Sequence, residues 1–281
     1  MVLDCHIHIS SSDTPNGALL KENMKKAGVD GGALLSIPPA SFATHAGKGF
    51  DAKLFSCDAR LDNLFAWTNG NERLYPFYWI DPSAHGARRE VTRAASRGVT
   101  GFKVICNSFY PDERSVMKVF RDIAETGRPI LFHSGILWDG EPSGKYNRPV
   151  RFESLLTIPK LRFAMAHISW PWCDELIAMY GKFCHARKIR GDNASELFID
   201  FTPGTPPIYR EEALRKVFTV GYPVNDNVLF GTDSTAGNYS IQGSLQTRTR
   251  DNGIYRKLKL PKQTTAKIYA DNFLRFIGQS R

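Results

Sequence analysis

Residues 2–9 read Val2-Leu3-Asp4-Cys5-His6-Ile7-His8-Ile9, an apolar run interrupted by two histidines two places apart. Alternate residues of a strand share a face, so both imidazoles point to one side. In a closed barrel that side is the interior. Two imidazoles are a costly filling there unless something satisfies them, and a metal ion does. The same step of two places Asp4 on the histidine face, as a group that orients a ligand from below or as a buried acid bonded to backbone. A His-x-His pair alone is weak evidence, so the rest of the chain decides.

Seven further short apolar runs follow, at 32–37, 74–80, 101–106, 129–133, 161–167, 197–201 and 228–231. They mostly lack polar alternation, as parallel strands buried on both faces do. Helical patterns lie between them at 16–27, 83–96 and 115–125, each followed by a glycine suited to a left-handed terminal residue. The series continues at 174–188 and 210–220, and closes at 261–277 with Pro261 at a helix start. Strands alternating with helices in a chain of 281 residues predict an α/β fold: one (β/α)8 TIM barrel, a single domain over 1–281. Residues 38–73 are less regular and read as an extended region after the second strand, some of it covering the mouth.

Bulk properties narrow the function. The chain is 42% hydrophobic and 23% charged, which supports a sizeable core and excludes disorder. No apolar run reaches the roughly 18 residues of a membrane span. The N-terminus lacks the basic and apolar regions of a signal peptide. Cys5, Cys57, Cys106, Cys173 and Cys184 form no Cys-x-x-Cys pair and read as free thiols in a reducing, cytoplasmic setting. Cys184-His185 has no further ligands at finger-like spacing. The formal charge of +9 favours anionic partners. The basic residues, densest at 182–190 and 248–262, are not interleaved with aromatics, so nucleic acid is not expected. The expected partner is a small anionic substrate; a homodimer is compatible with everything above.

Three later strand ends carry polar residues to the C-terminal lip, where barrel active sites are built. They read Leu131-Phe132-His133-Ser134-Gly135, Met165-Ala166-His167 and Phe230-Gly231-Thr232-Asp233-Ser234. His45, His85 and His185 fall in loops or helices and read as surface residues.

The pattern resembles the amidohydrolase superfamily, and within it the amidohydrolase-related group of aminocarboxymuconate-semialdehyde decarboxylase and pyrone-dicarboxylate lactonase. The matching segments are Asp4-Cys5-His6-Ile7-His8, Gly98-Val99-Thr100-Gly101-Phe102-Lys103 and the stretch from Gly127 to Gly135. Ala166-His167 with Pro171-Trp172, Phe230-Gly231-Thr232-Asp233 and Ile268-Tyr269-Ala270-Asp271-Asn272 complete them. They span essentially the whole chain in order.

The resemblance implies that His6, His8, His133 and Asp233 bind one divalent ion, Zn²⁺ first, with Mn²⁺ or Fe²⁺ as alternatives. It implies Asp233 as general base, and His167 beside the metal as the group that polarises a carbonyl or stabilises an oxyanion. Lys103 has three readings: a carboxylated bridge between two metals, a cation for a substrate carboxylate or buried acid, or an outward-facing residue. Arg148, Lys145, Tyr146 and Trp138 belong to the long loop after His133. Arg148 reads either as a clamp for a carboxylate or as a solvated loop arginine, with Trp138 as a further substrate contact. Trp170 and Trp172 wall the pocket or simply pack.

The function implied is metal-assisted hydrolysis of a small ester, lactone or amide bearing a carboxylate. Non-oxidative decarboxylation of a small carboxylic acid is the alternative, since the same site supports both in this group. A TatD-like nuclease shares the histidines, but carries a glutamate where this chain has Gly101-Phe102-Lys103. A binding protein on a barrel scaffold is disfavoured because every expected ligand is present.

Overall fold

In the computed structural model, which describes residues 1–43 and 52–279, the eight expected strands form. They are β1 (Leu3–His8), β2 (Gly31–Leu35), β3 (Leu74–Trp79), β4 (Gly101–Val104), β5 (Ile130–Phe132), β6 (Arg162–Met165), β7 (Glu196–Asp200) and β8 (Val228–Leu229). Neighbours in sequence pair in parallel from β1 to β8. The chain leaving β8 closes the sheet. Cys5 N donates to the Phe230 carbonyl at 2.9 Å, and β9 (Ser234–Thr235) pairs in parallel with the end of β1.

The strands lack alternation because both their faces are covered. Leu3, Cys5, Ala33, Leu35, Phe77, Leu131, Ala164 and Phe198 fill the interior, and Phe273 and Phe276 of the C-terminal segment plug its lower end. Ile7, Leu34, Tyr78, Phe102, Phe132 and Phe163 face outward into the helical layer. One irregularity in β1 sets the site. Asp4 aligns with Gly32 but Ile7 with Leu34, so Cys5 and His6 together oppose Ala33. Such a bulge turns two successive residues to one side. Cys5 therefore joins the interior, and Asp4 leaves the histidine face. The expectation that Asp4 lies beneath the histidines is corrected: its carboxylate is buried on the outer side, accepting from Thr232 and from the Tyr239 hydroxyl.

The expected helices appear as α1 (Gly17–Lys26), α4 (Ala87–Ser96), α5 (Arg114–Glu125), α6 (Cys173–Arg190) and α7 (Pro207–Thr219). The closing helix at 261–277 is broken into α9 (Lys262–Ala266), a π-helical turn (Lys267–Asp271) and α10 (Asn272–Phe276). The irregular 38–73 region holds a short α2 (Ala40–Ala43) and a twelve-residue α3 (Cys57–Thr68) capped by Ser56. Its residues 44–51, with His45, lie outside the described residues. A further helix, α8 (Ile241–Lys257), stands where no helical pattern was expected, and Ser240 caps it by accepting from Gly243 N. No apolar stripe announces α8, because its buried face is largely polar: Ser244, Thr247 and Asp251 precede Ile254. No helix among the described residues is long and apolar enough to cross a membrane. The five cysteines are unpaired, and His85 and His185 are exposed.

What holds the polar face of α8 is an ion pair. Arg210 of α7 meets Asp251 at 2.6 Å and also donates to the Phe201 carbonyl just beyond β7, with both side chains sealed from water. Removing one partner of such a pair leaves the other charged and unpaired. Arg210→Ala should therefore destabilise the fold by about 3–5 kcal/mol, read from the urea midpoint. The double change Arg210→Met with Asp251→Leu should recover most of that loss. A single variant within about 1 kcal/mol of wild type would show that the pair is not what holds α8.

Candidate active site

The end of β1, with its bulge, delivers His6 and His8 to the barrel mouth, and the chain after β8 delivers Asp233. His6 Nε2 and His8 Nε2 lie 3.1 Å apart. Asp233 Oδ1 stands 3.3 Å from the His8 atom and 3.6 Å from the His6 atom. Asp233 adopts a left-handed backbone, φ 60°, which a non-glycine residue holds only under constraint. Its amide donates to the His6 carbonyl at 3.0 Å. The preceding Thr232 is fastened to Asp4 through both its amide and its hydroxyl. Asp4 thus ties the Asp233 turn to β1 from outside the barrel. Burial pushes the Asp4 carboxyl up to about 7, against the lowering effect of these hydrogen bonds.

Two imidazoles and a carboxylate with donor atoms this close fit a cation. Ligands held at about 2.05 Å in a tetrahedral arrangement lie roughly 3.3 Å from each other. Among the described residues, His6, His8 and Asp233 form a group whose donor atoms all lie within 4.8 Å of one another. His133, the fourth expected ligand, stands outside that group. Its ring is 4.9 Å from that of His167, and its Nε2 lies 3.3 Å from the Ile136 carbonyl oxygen.

His167 sits between His133 and His6, its ring 5.4 Å from the latter. It begins a run of three left-handed residues, His167, Ile168 and Ser169. Ser169 Oγ is pinned 2.6 Å from Ser134 Oγ. The loop after β7 closes over this turn so tightly that a Cβ at Gly204 would lie 2.6 Å from His167 Cβ, so glycine is required there. His167 Nδ1 lies 2.9 Å from the Pro203 carbonyl, which can only accept; Nδ1 therefore carries the proton and Nε2 the lone pair. That tautomer does not suit the expected oxyanion contact: a neutral His167 offers Nε2 as an acceptor.

Lys103 lies inside the barrel, fully buried, with Nζ 3.3 Å from His6 Nε2. The outward-facing reading is thereby corrected. Burial lowers its ammonium to about 8, while Asp200 and Asp233 act to raise it. Burial, then the Lys103 charge, lowers His6 to about 3. Burial likewise holds His133 and His167 below the ordinary histidine range. Neutral imidazole is the form that ligates metals. For Asp233, partial withdrawal from water works upward, but the His8 contact and the His6 and His8 charges outweigh it and hold the carboxyl well below its usual range.

Asp200, at the end of β7, is a site residue that the strand-end pattern did not single out. It is fully buried, and its Oδ2 lies 2.8 Å from His6 Nδ1. The signal was an acid closing the apolar run Leu197-Phe198-Ile199-Asp200. Trp79, also unmarked in the sequence, meets His8 edge-on at 5.6 Å and packs with Phe42, ring centroids 4.8 Å apart. Of the expected substrate contacts, Lys103 stands beside the three-donor group, while the arginine of the loop after His133 has a partner on α6. Arg148 is engaged by Glu175 of α6 at 2.6 Å and lies over the Trp172 ring. Lys145 lies over Tyr146, and Trp138 is 80% exposed. Trp170 stacks on Tyr209.

A family model described as Amidohydrolase matches residues 3–278. No curated protein matches the chain. Similar solved structures include a probable 2-pyrone-4,6-dicarboxylic acid hydrolase from Acinetobacter baumannii with citric acid bound, at 14% identity and TM-score 0.62, covering 99% of each chain. Dihydroorotase from Campylobacter jejuni aligns at 15% identity and TM-score 0.57, covering 100% of this chain and 84% of that one. A D-hydantoinase aligns at 12% identity and TM-score 0.60, covering 97% and 70%. At such identities the likeness is one of fold.

Proposed function

The chain belongs to the amidohydrolase family, and from that premise we propose that it is a metal-dependent hydrolase of a small ester, lactone or amide bearing a carboxylate. The observation that carries this reading is the convergence of His6, His8 and Asp233 at the barrel mouth, with donor atoms 3.1–3.6 Å apart. These three residues, with His133 as the fourth, would hold one divalent ion, Zn²⁺ before Mn²⁺ or Fe²⁺. Bound there, such an ion polarises a carbonyl oxygen and acidifies water.

The chain's own residues supply the proton traffic. Asp233, ionised and open to the mouth, takes the proton of the attacking water. His167, its Nδ1–H committed to Pro203, receives that proton from Asp233 at Nε2 and passes it to the departing oxygen or nitrogen, which leaves Asp233 ionised again. The cyclic dicarboxylate ester named for the Acinetobacter protein gives the first substrate class to test. Elemental analysis of the purified protein, followed by a screen of lactones, amides and carboxylated aromatics, tests the reading. About one metal per chain with hydrolysis of a member supports it. Protein without divalent metal, inert after loading, overturns it, and release of CO2 transfers the chemistry to decarboxylation.

Lys103 separates one metal from two. An ammonium 3.3 Å from His6 Nε2 repels a second cation and favours an anionic substrate group. Lys103→Ala should keep about one metal per chain and raise KM for an anionic substrate by roughly 10–100-fold, the worth of a hydrogen bond to a charged group. Two metals in the wild type, both lost in the variant and restored by a short-chain carboxylic acid, would instead mean that Lys103 is carboxylated.

A further inference from the structure

Asp200 touches no group that the proposed reaction transforms, yet it is buried in contact with a proposed metal ligand. Its Oδ2 lies 2.8 Å from His6 Nδ1, and both side chains are sealed from water. Its other oxygen accepts from the Thr202 amide at 2.6 Å and from the Thr202 hydroxyl, so the carboxylate cannot turn. The backbone beyond it is fixed as well: Phe201 N donates to the Leu229 carbonyl, and the Phe201 carbonyl accepts from Arg210.

The opposite edge of the His6 ring faces other groups. Nε2 lies 3.1 Å from His8 Nε2 and 3.3 Å from Lys103 Nζ. An imidazole protonated only on Nε2 would set its Nδ1 lone pair against a carboxylate lone pair at 2.8 Å. It would also set an N–H against the Lys103 ammonium, which has only hydrogens to offer, and leave that N–H His8 Nε2 as its one acceptor. Protonated only on Nδ1, the same ring donates to Asp200 and presents a lone pair that Lys103 can meet. One tautomer satisfies both edges.

We infer that Asp200 is a positioning residue, held by Thr202, that fixes His6 in its Nδ1–H tautomer and so makes Nε2 the bare atom offered to a divalent cation. The cation rests on the function proposed above; the tautomer belongs to the metal-free chain. Such outer partners orient a ligating imidazole and raise its basicity, and their loss weakens metal binding by roughly 10–100-fold.

The experiment has two arms. In metal-free, ¹⁵N-labelled protein, long-range ¹H–¹⁵N correlation of the imidazoles should show His6 with its proton on Nδ1, slow to exchange. Asp200→Ala should lose that signature and shift the ring toward the Nε2–H form, with Asp200→Glu restoring it in part. Zn²⁺ affinity, by competition with a chelator, should fall about 10–100-fold in Asp200→Ala and recover partly in Asp200→Glu. Far-UV circular dichroism identifies a variant that has not folded, and the wild-type spectrum then decides alone. A wild-type His6 protonated on Nε2, or a folded Asp200→Ala that binds Zn²⁺ within twofold of wild type, overturns the inference. Wild-type protein that takes up no Zn²⁺ overturns the metal reading, while the metal-free spectrum still judges Asp200.

Discussion

Asp233→Asn should lower turnover by about 10²- to 10⁴-fold, the usual contribution of a general base. The substitution isolates the charge. Asparagine tolerates the left-handed backbone that Asp233 adopts at φ 60°, so the turn should stand. The amide donation to the His6 carbonyl and the Thr232 anchors on Asp4 do not involve the altered side chain. What disappears is an anionic oxygen 3.3 Å from His8 Nε2 and the capacity to take a proton. Because the same oxygen belongs to the three-donor group, turnover must be measured per bound metal, with excess metal supplied. A loss concentrated in kcat, with KM little changed, is the signature of a group needed in the transition state. If the variant holds metal and turns over near the wild-type rate, the base is elsewhere, and decarboxylation gains ground.

The strands were legible because parallel strands covered on both faces leave apolar runs that need no tertiary information to recognise. Helix ends were legible too, since Gly28 and Gly98 stand at φ 66° and 90° just past α1 and α4, where a side chain would be strained. The site was legible insofar as its groups end strands: His6, His8, His167 and Asp233 occupy the lip that the pattern assigned them. What escaped depended on distant partners. The β1 bulge, which moves Asp4 off the histidine face, exists only in the pairing with β2, and no residue in 2–9 marks it. Helix α8 escaped because Asp251 answers an arginine on another helix. Asp200 was visible as an acid in an apolar strand, but its meaning lay 194 residues away, at His6. Arg148 looked free in the loop; its partner Glu175 lies on α6.

The other large effect falls on His6. His6→Ala should abolish stoichiometric metal binding and, with it, activity on whatever substrate the screen finds. His6 Nε2 is the atom that meets both His8 and Asp233, so its removal leaves the other two without their common neighbour. The loss of affinity should exceed the roughly 10–100-fold that removing an outer partner costs, because a donor itself is gone. A second consequence must be separated from the first. The truncation leaves Asp200 buried without its imidazole partner, and an ionised group that loses a partner in the interior destabilises the fold. Thermal unfolding of metal-free wild type and variant measures that part, since no metal contributes to either. The cavity left by the ring offers a further check. Added imidazole can enter it, donate to Asp200 and present its other nitrogen, so metal uptake should return with imidazole concentration. Return of metal with imidazole identifies the lost imidazole as the ligand. A variant that keeps a full complement of metal without imidazole would remove His6 from the ligand set and leave its bond to Asp200 a purely structural one.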